Sequence, residues 1–216
     1  MTPPDASNPP VEIEPLPCAA IVLAAGASTR LGVPKQLLRV EGETLLRRSV
    51  RAALEAGCSP VAVVLGPQAG IMFSDLNGLN AIPVVNANWR SGMASSLHAG
   101  LIELARHEPE PPNVLILVCD QPAVTSEIIQ SLLANHAQHG KLITASAYAN
   151  TRGVPAVFSA AVLPELLELT GDEGARAVIG RVPARVADFD FADGATDVDT
   201  PEDARMLLKR EHETQT

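Results

Sequence analysis

Short aliphatic runs alternate along this chain with stretches whose apolar residues recur every three or four positions. Ala19-Ala20-Ile21-Val22-Leu23-Ala24 is continuously apolar and is followed at once by Gly26. That is the pattern of a strand buried on both faces and ending in a loop. Between Thr44 and Gly57, Leu46, Val50, Ala53 and Leu54 stand at helical spacing, with Gly57 as the C-terminal stop. Val61–Leu65 predicts the next strand and Ala81–Val85 another, followed by a helix over Ala94–Ala105 and a central strand over Val114–Val118. Thr125 caps a predicted helix running to about His136, and Leu142–Ser146 predicts a short strand. A helix over Ala160–Leu169 and a strand over Arg185–Phe189 come next. Thr200-Pro201-Glu202-Asp203 opens the last predicted helix with a capping hydroxyl, a proline in the first turn and two acids behind it. The stretch from Gln68 to Asn80 fits a helix or a loop equally well.

Strands alternating with helices predict an α/β fold: a three-layer, open, mostly parallel sheet with helices on both faces, Rossmann-like in layering. In such a sheet ligands bind beyond the carboxyl ends of the strands. The unusual polar segments stand there: Gly26–Lys35 after the first strand and Asp120-Gln121-Pro122 after the central one. The 216 residues are read as a Pro-rich disordered leader over 1–17, one domain over 18–210 and a polar tail over 211–216.

Composition narrows the partners. The net charge is -9 with scattered basic residues, which excludes the positive footprint that nucleic acid requires. A nucleotide remains compatible, because a few local cations and a divalent metal hold a triphosphate on an acidic background. No apolar run approaches the ~20 residues of a membrane span, and the N-terminus lacks a signal peptide's apolar region. A cytoplasmic protein is expected. Cys18, Cys58 and Cys119 are odd in number and widely spaced, and read as reduced core thiols.

The loop from Leu23 to Lys35, Leu-Ala-Ala-Gly-Ala-Ser-Thr-Arg-Leu-Gly-Val-Pro-Lys, offers small residues that let backbone N–H groups approach phosphate, with Arg30 and Lys35 as cations. Its spacing matches neither the P-loop nor the dinucleotide glycine motif. By composition alone it is an anion site or a plain strand-to-helix turn. Asp120 and Asp199 are each a turn or capping residue, or together two carboxylates on separate loops able to share one magnesium ion. His136 and His139 lack a third zinc ligand and read as a solvated helix end. Ser95 and Ser96 cap a helix or bind a ligand. No Gly-x-Ser-x-Gly elbow marks a serine hydrolase.

Several segments, in order, resemble one family. Leu23–Leu38 is similar to the signature loop of nucleotidyltransferases with a glycosyltransferase-A-type fold. Trp89-Arg-Ser-Gly-Met-Ala-Ser-Ser-Leu97, Cys119-Asp-Gln-Pro122, Gly171-Asp-Glu-Gly-Ala-Arg176 and Asp197-Val-Asp-Thr-Pro-Glu-Asp203 resemble the molybdenum cofactor cytidylyltransferases within that group. The resemblance spans Ala19 to Leu208. It implies that Leu23, Ala24, Ala25 and Gly26 wrap a triphosphate while Arg30 and Lys35 neutralise the reacting phosphate. Gly92 and Ser96 would lie by the base, and Asp120 and Asp199 would hold Mg2+, or Mn2+ in its stead. Asp172 and Arg176 would face the acceptor. The substrates implied are CTP and molybdopterin carrying molybdenum, joined with release of pyrophosphate, and a xanthine-dehydrogenase-type molybdoenzyme is the implied recipient. Arg30, Lys35 and Asp120 would carry catalysis by positioning and electrostatics, with no protein nucleophile.

One segment departs from that pattern. Arg152-Gly153-Val154-Pro155 has valine where many relatives carry histidine before the proline. A GTP-dependent enzyme, another phosphorylated acceptor such as a sugar phosphate, and a non-catalytic carrier of the finished cofactor are the alternative readings.

Overall fold

The computed structural model describes residues 16–28, 32–107, 109–198, 200, 202, 203 and 205. Strand β1 is Ala19–Ala24 and leads into the glycine loop. A two-stranded hairpin comes next, β2 (Arg39–Val40) and β3 (Glu43–Thr44), and then helix α1 (Leu45–Glu55). The Thr44 hydroxyl caps α1 by accepting the Arg47 N–H at 3.1 Å, and Gly57 ends it in the left-handed region with φ +89°. Beyond it lie β4 (Val61–Leu65), the four-residue α2 (Ala69–Met72) and β5 (Ile82–Val85). Helix α3 (Met93–Leu104), β6 (Asn113–Val118) and α4 (Ser126–His139) form the middle of the chain. The last elements are β7 (Ile143–Tyr148), β8 (Thr151–Ser159), α5 (Leu163–Leu167), α6 (Ala175–Arg181) and β9 (Val186–Asp190).

Seven strands join in the order β5-β4-β1-β6-β8-β7-β9. The pairs β4/β5, β1/β4, β1/β6 and β7/β9 are parallel, whereas β8 runs antiparallel to both its neighbours. The expected mostly parallel sheet with helices on both faces is therefore present. Residues alternate along β1: Ala20, Val22 and Ala24 join one core with Leu46 and Val50 of α1 and Ile129 and Leu132 of α4. Ala19 and Ile21 join the opposite core with Leu97 and Leu101 of α3 and Val178 and Ile179 of α6. At Gly100 of α3 a β-carbon would come within 2.7 Å of the Ile21 Cγ2, so the absent side chain sets how closely this helix lies on the sheet.

Several local expectations change. Strand β8 and the short α6 fall where no element is predicted, because Gly153 and Pro155 interrupt the apolar pattern of β8 and α6 is only seven residues long. The predicted helix Ala160–Leu169 is a 3-10 turn, Ala160–Val162, followed by the short α5, since Pro164 fits only a first turn. The stretch from Gln68 to Asn80 holds α2 and a 3-10 turn over Phe73–Leu76. His139 is exposed, but the solvated reading of His136 is overturned: it is 5% exposed and hydrogen-bonded on both ring nitrogens. Cys18, Cys58 and Cys119 are buried and free. Burial pushes the Cys119 thiol well above its ordinary range, with the neighbouring Asp120 charge acting in the same direction.

Thr200 and Asp203 cap each other: the Asp203 Oδ2 accepts the Thr200 N–H at 2.8 Å, and the Thr200 hydroxyl accepts the Asp203 N–H at 3.2 Å. Residues 1–15 of the expected leader and the tail after 205 lie outside the described residues. Leu16 already packs on the core, and the Pro17 carbonyl accepts from Asn113 Nδ2 at 3.1 Å. Among the described residues no helix is long and apolar enough to cross a membrane.

Candidate active site

The parallel strands β1 and β6 end side by side, and the segments just beyond their carboxyl ends form the floor of a cavity of about 300 Å³. Leu23, Ala24, Ala25, Gly26 and Lys35 line it from the first strand and its loop. Asp120 lines it from beyond β6, Gly92 and Ser96 from the start of α3, and Asp172 from the loop before α6. All the described residues expected around the nucleotide thus meet in one place. Arg30 and Asp199 lie outside the described residues.

The loop owes its shape to a side chain with no assigned role in the sequence pattern. Gln36 is 1% exposed, and its Nε2 donates to the carbonyls of Ala24 at 3.0 Å and Gly26 at 2.7 Å. Its Oε1 accepts from the Ser28 hydroxyl at 3.3 Å, and the Ser28 Oγ in turn accepts the Lys35 N–H at 3.0 Å. Both ends of the loop are therefore tied to one buried amide, and Lys35 leaves this knot pointing at Asp120. A polar residue adjoining the lysine was the one available signal.

Lys35 Nζ donates to Asp120 Oδ2 in an ion pair whose side chains are only 16% and 15% exposed. The other carboxylate oxygen, Asp120 Oδ1, is buried and has no hydrogen-bond partner among the described residues. A buried anionic oxygen left in that state is costly unless something cationic or hydrogen-bonding meets it. It is a hard oxygen donor beside the cavity, and this fits a divalent ion such as Mg2+ or Mn2+. No cluster of three or more metal-ligating side chains exists among the described residues. The Asp120 carbonyl also accepts the Val198 N–H at 3.0 Å, which ties the segment before Asp199 to the loop after β6. Gln121 is turned away from the cavity and donates to the Gly194 carbonyl at 2.8 Å.

The opposite wall is built by a close backbone contact. Gly92 has φ +101°, and a β-carbon there would fall 2.2 Å from the Gly171 carbonyl. The same carbonyl accepts the Ala94 N–H at 3.1 Å, so the Gly-Met and Gly-Asp segments meet and Asp172 is brought to the rim. Trp89 and Met93 complete this side, with the Arg90 guanidinium 4.3 Å from the centre of the Trp89 ring.

Arg176 does not share the cavity with Asp172. It lines a neighbouring, more open space of about 790 Å³ with Tyr148, Arg152 and Asp188. Arg152 grips Asp188 through two guanidinium nitrogens, Nη2 to Oδ2 at 2.9 Å, and thereby holds that carboxyl below its usual range. Val154, at the point of departure from the family pattern, packs against the apolar core under α3 and α6.

Residues 20–186 match the model of a MobA-like NTP transferase domain. The chain belongs to the MobA-like NTP transferase family. It is a nucleotidyltransferase of the MobA-like type, and the ion pair of Lys35 and Asp120 lies within the matched residues. It is 36% identical over 205 residues to a protein named nicotine blue oxidoreductase from Paenarthrobacter nicotinovorans, a match covering 89% of this chain and 98% of that one. It is 33% identical over 106 residues to "Probable molybdenum cofactor guanylyltransferase" of Opitutus terrae, and spans about half, 49%, of that relative's length and 49% of its own. The solved structure of Rv0371c from Mycobacterium tuberculosis H37Rv in complex with manganese superposes with a TM-score of 0.69 at 29% identity, covering 89% of this chain and 97% of that one.

Proposed function

We propose that this MobA-like transferase moves CMP from CTP to the terminal phosphate of molybdopterin carrying molybdenum. An acceptor phosphate oxygen forms a bond to the α-phosphorus, the bond from that phosphorus to the bridging oxygen breaks, and pyrophosphate leaves. The observation that carries the reading is the Lys35–Asp120 pair beside the glycine loop, with Asp120 Oδ1 buried and unpartnered among the described residues. Lys35 turns from Asp120 toward the triphosphate, where its charge offsets the negative charge building at the α-phosphate, and Arg30 does the same from the loop. Asp120, with Asp199, would hold a divalent ion, which when bound draws charge from the phosphate oxygens. Leu23, Ala24, Ala25 and Gly26 wrap the phosphates, Gly92 and Ser96 face the base, and Asp172 and Arg176 face the acceptor. A side chain nucleophile is not required, because the transfer depends on alignment and charge.

The acceptor class is supported by the relative named for molybdenum cofactor and the metal class by the manganese complex. A guanylyltransferase among the relatives makes GTP the rival nucleotide, with a sugar phosphate as rival acceptor and cofactor carriage without turnover as a rival role. A xanthine-dehydrogenase-type enzyme is the proposed recipient of the product, made in the cytoplasm. The deciding experiment measures pyrophosphate release with molybdenum-loaded molybdopterin, Mg2+ or Mn2+, and CTP, GTP or ATP in turn. Turnover with CTP is expected. Turnover with GTP alone would reassign the base, and tight cofactor binding without turnover would make the protein a carrier.

A second reading is favoured by one observation, the 36% identity to nicotine blue oxidoreductase over nearly all of that protein. Oxidoreduction of nicotine blue needs an electron partner such as a nicotinamide, and the chain lacks the Gly-x-Gly-x-x-Gly spacing that usually holds one. Nicotinamide oxidation followed by absorbance in the presence of nicotine blue separates the two activities.

A further inference from the structure

Asn86 lies just beyond β5, is 5% exposed and does not line the cavity, yet it controls a residue that does. Its Oδ1 stands 2.9 Å from the backbone nitrogen of Asn88. A backbone N–H only donates, so this contact fixes which end of the amide is oxygen. The amide nitrogen must then face α3, where it donates to Ser95 Oγ at 2.9 Å and to Ser96 Oγ at 3.1 Å. The two serines use their own protons differently. Ser95 donates to the carbonyls of Gly92 at 2.8 Å and Asn88 at 3.0 Å. Ser96 is only 6% exposed, lines the cavity, and has no acceptor for its proton among the described residues. A hydroxyl has one proton and two lone pairs. With a lone pair engaged by Asn86, the Ser96 proton is left for whatever occupies the cavity.

We propose that Asn86 is a positioning residue that sets the hydrogen-bond polarity of the base site. It occupies one lone pair of Ser96 and leaves the proton without a protein acceptor among the described residues, so Ser96 donates into the cavity and favours a nucleobase presenting an acceptor there, a carbonyl oxygen or an unprotonated ring nitrogen. This inference rests on the reading that the base lies against Gly92 and Ser96. It adds a determinant of nucleotide choice that does not touch the nucleotide.

Asn86→Asp inverts the arrangement at nearly constant volume. The carboxylate oxygens of this variant accept from the Asn88 N–H and from the Ser96 hydroxyl, so Ser96 donates away from the cavity and only its lone pairs face it. Binding is measured for inorganic triphosphate and for each nucleoside triphosphate, in wild type, Asn86→Asp, Ser96→Ala and the double variant. The expected result is about a tenfold loss for the preferred nucleotide in each single variant, unchanged triphosphate binding, and no further loss from Asn86→Asp once Ser96 is alanine. Unchanged triphosphate binding also shows that the variants fold. Wild-type nucleotide affinity in Asn86→Asp would overturn the inference, as would an equal loss with and without Ser96, which marks a merely structural effect. If wild type binds inorganic triphosphate as tightly as any nucleotide, the base-site reading falls and takes this inference with it. If wild type prefers a nucleotide but the polarity effect is absent, the inference alone fails.

Discussion

Lys35 and Asp120 hold each other in a setting where water has little access, and a pair of that kind weakens when either member is removed. Lys35→Ala leaves the Asp120 carboxylate without this cation, and Asp120→Ala leaves the lysine without this anchor while removing the oxygen proposed to hold the metal. Each is expected to lower kcat by at least about 10²-fold, the scale seen when a charge-stabilising group is lost, with the far-ultraviolet spectrum of the folded protein retained. Pyrophosphate release checks the first outcome, and near-normal rates in either variant would remove that residue from the site. Gln36 works one step further back. Gln36→Leu keeps the volume but strips the buried Ala24 carbonyl and the Gly26 carbonyl of this donor, so stability should fall by about 2 kcal/mol in a urea titration and turnover should fall with it. The lysine and the aspartate were legible because charged residues after apolar runs stand out. Gln36 was not, since its partners are backbone carbonyls that no side chain pattern encodes.

At the scale of elements, the polar residues buried under the sheet bind strands that sequence periodicity did not connect. His136 leaves α4 and bonds Thr144 of β7 at 2.9 Å through Nδ1 and Asn113 of β6 at 3.2 Å through Nε2. Ser159, the last residue of β8, stands 3.3 Å from the same Nε2. Three strands and a helix thus meet at one imidazole. This explains why a histidine read as solvated is buried: β8, hidden in the sequence by Gly153 and Pro155, completes its enclosure. Burial holds the His136 pKa below the ordinary value of about 6.5, so the unfolded chain binds the proton more readily than the folded one. The resulting stability is fully present above the unfolded pKa and is lost as pH falls through the folded value. Urea unfolding at about pH 7.5 and about pH 5.5 should therefore show a drop in wild type that is smaller in His136→Gln. Equal drops in the two proteins would mean that other groups set the acid sensitivity. The helices α1 and α4 needed no such rescue, as their caps Thr44 and Thr125 and their glycine stops at Gly57 and Gly140 are local signals.

Across the whole molecule, the sheet presents two cavities at the same edge, because β6, β7 and β9 all end there and β8 begins there. The smaller one, proposed for the triphosphate, is lined by Lys35 and Asp120. The larger one, beyond β8, is lined by Arg152 and Arg176, but these arginines are not equivalent. Arg152 is engaged with Asp188, whereas Arg176 has no ion-pair partner among the described residues. The layering that divides the edge was legible in the alternation of strands and helices; the division itself was not, since it depends on the antiparallel β8 and the turn at Ala149 and Asn150. The resemblance grouped Asp172 with Arg176, and their separation into two cavities means that they would meet the acceptor from two sides. If the acceptor phosphate approaches from the larger cavity, Arg176→Ala should raise the acceptor KM by about tenfold, the cost of one charge-assisted hydrogen bond, and leave nucleotide KM unchanged. Asp188→Asn should soften this loss by releasing Arg152 as a substitute cation, so the double variant should bind acceptor better than Arg176→Ala alone. Steady-state kinetics with the acceptor varied at saturating nucleotide distinguishes these outcomes. A rise in nucleotide KM instead would assign Arg176 to the nucleotide and leave the larger cavity without a role in the transfer.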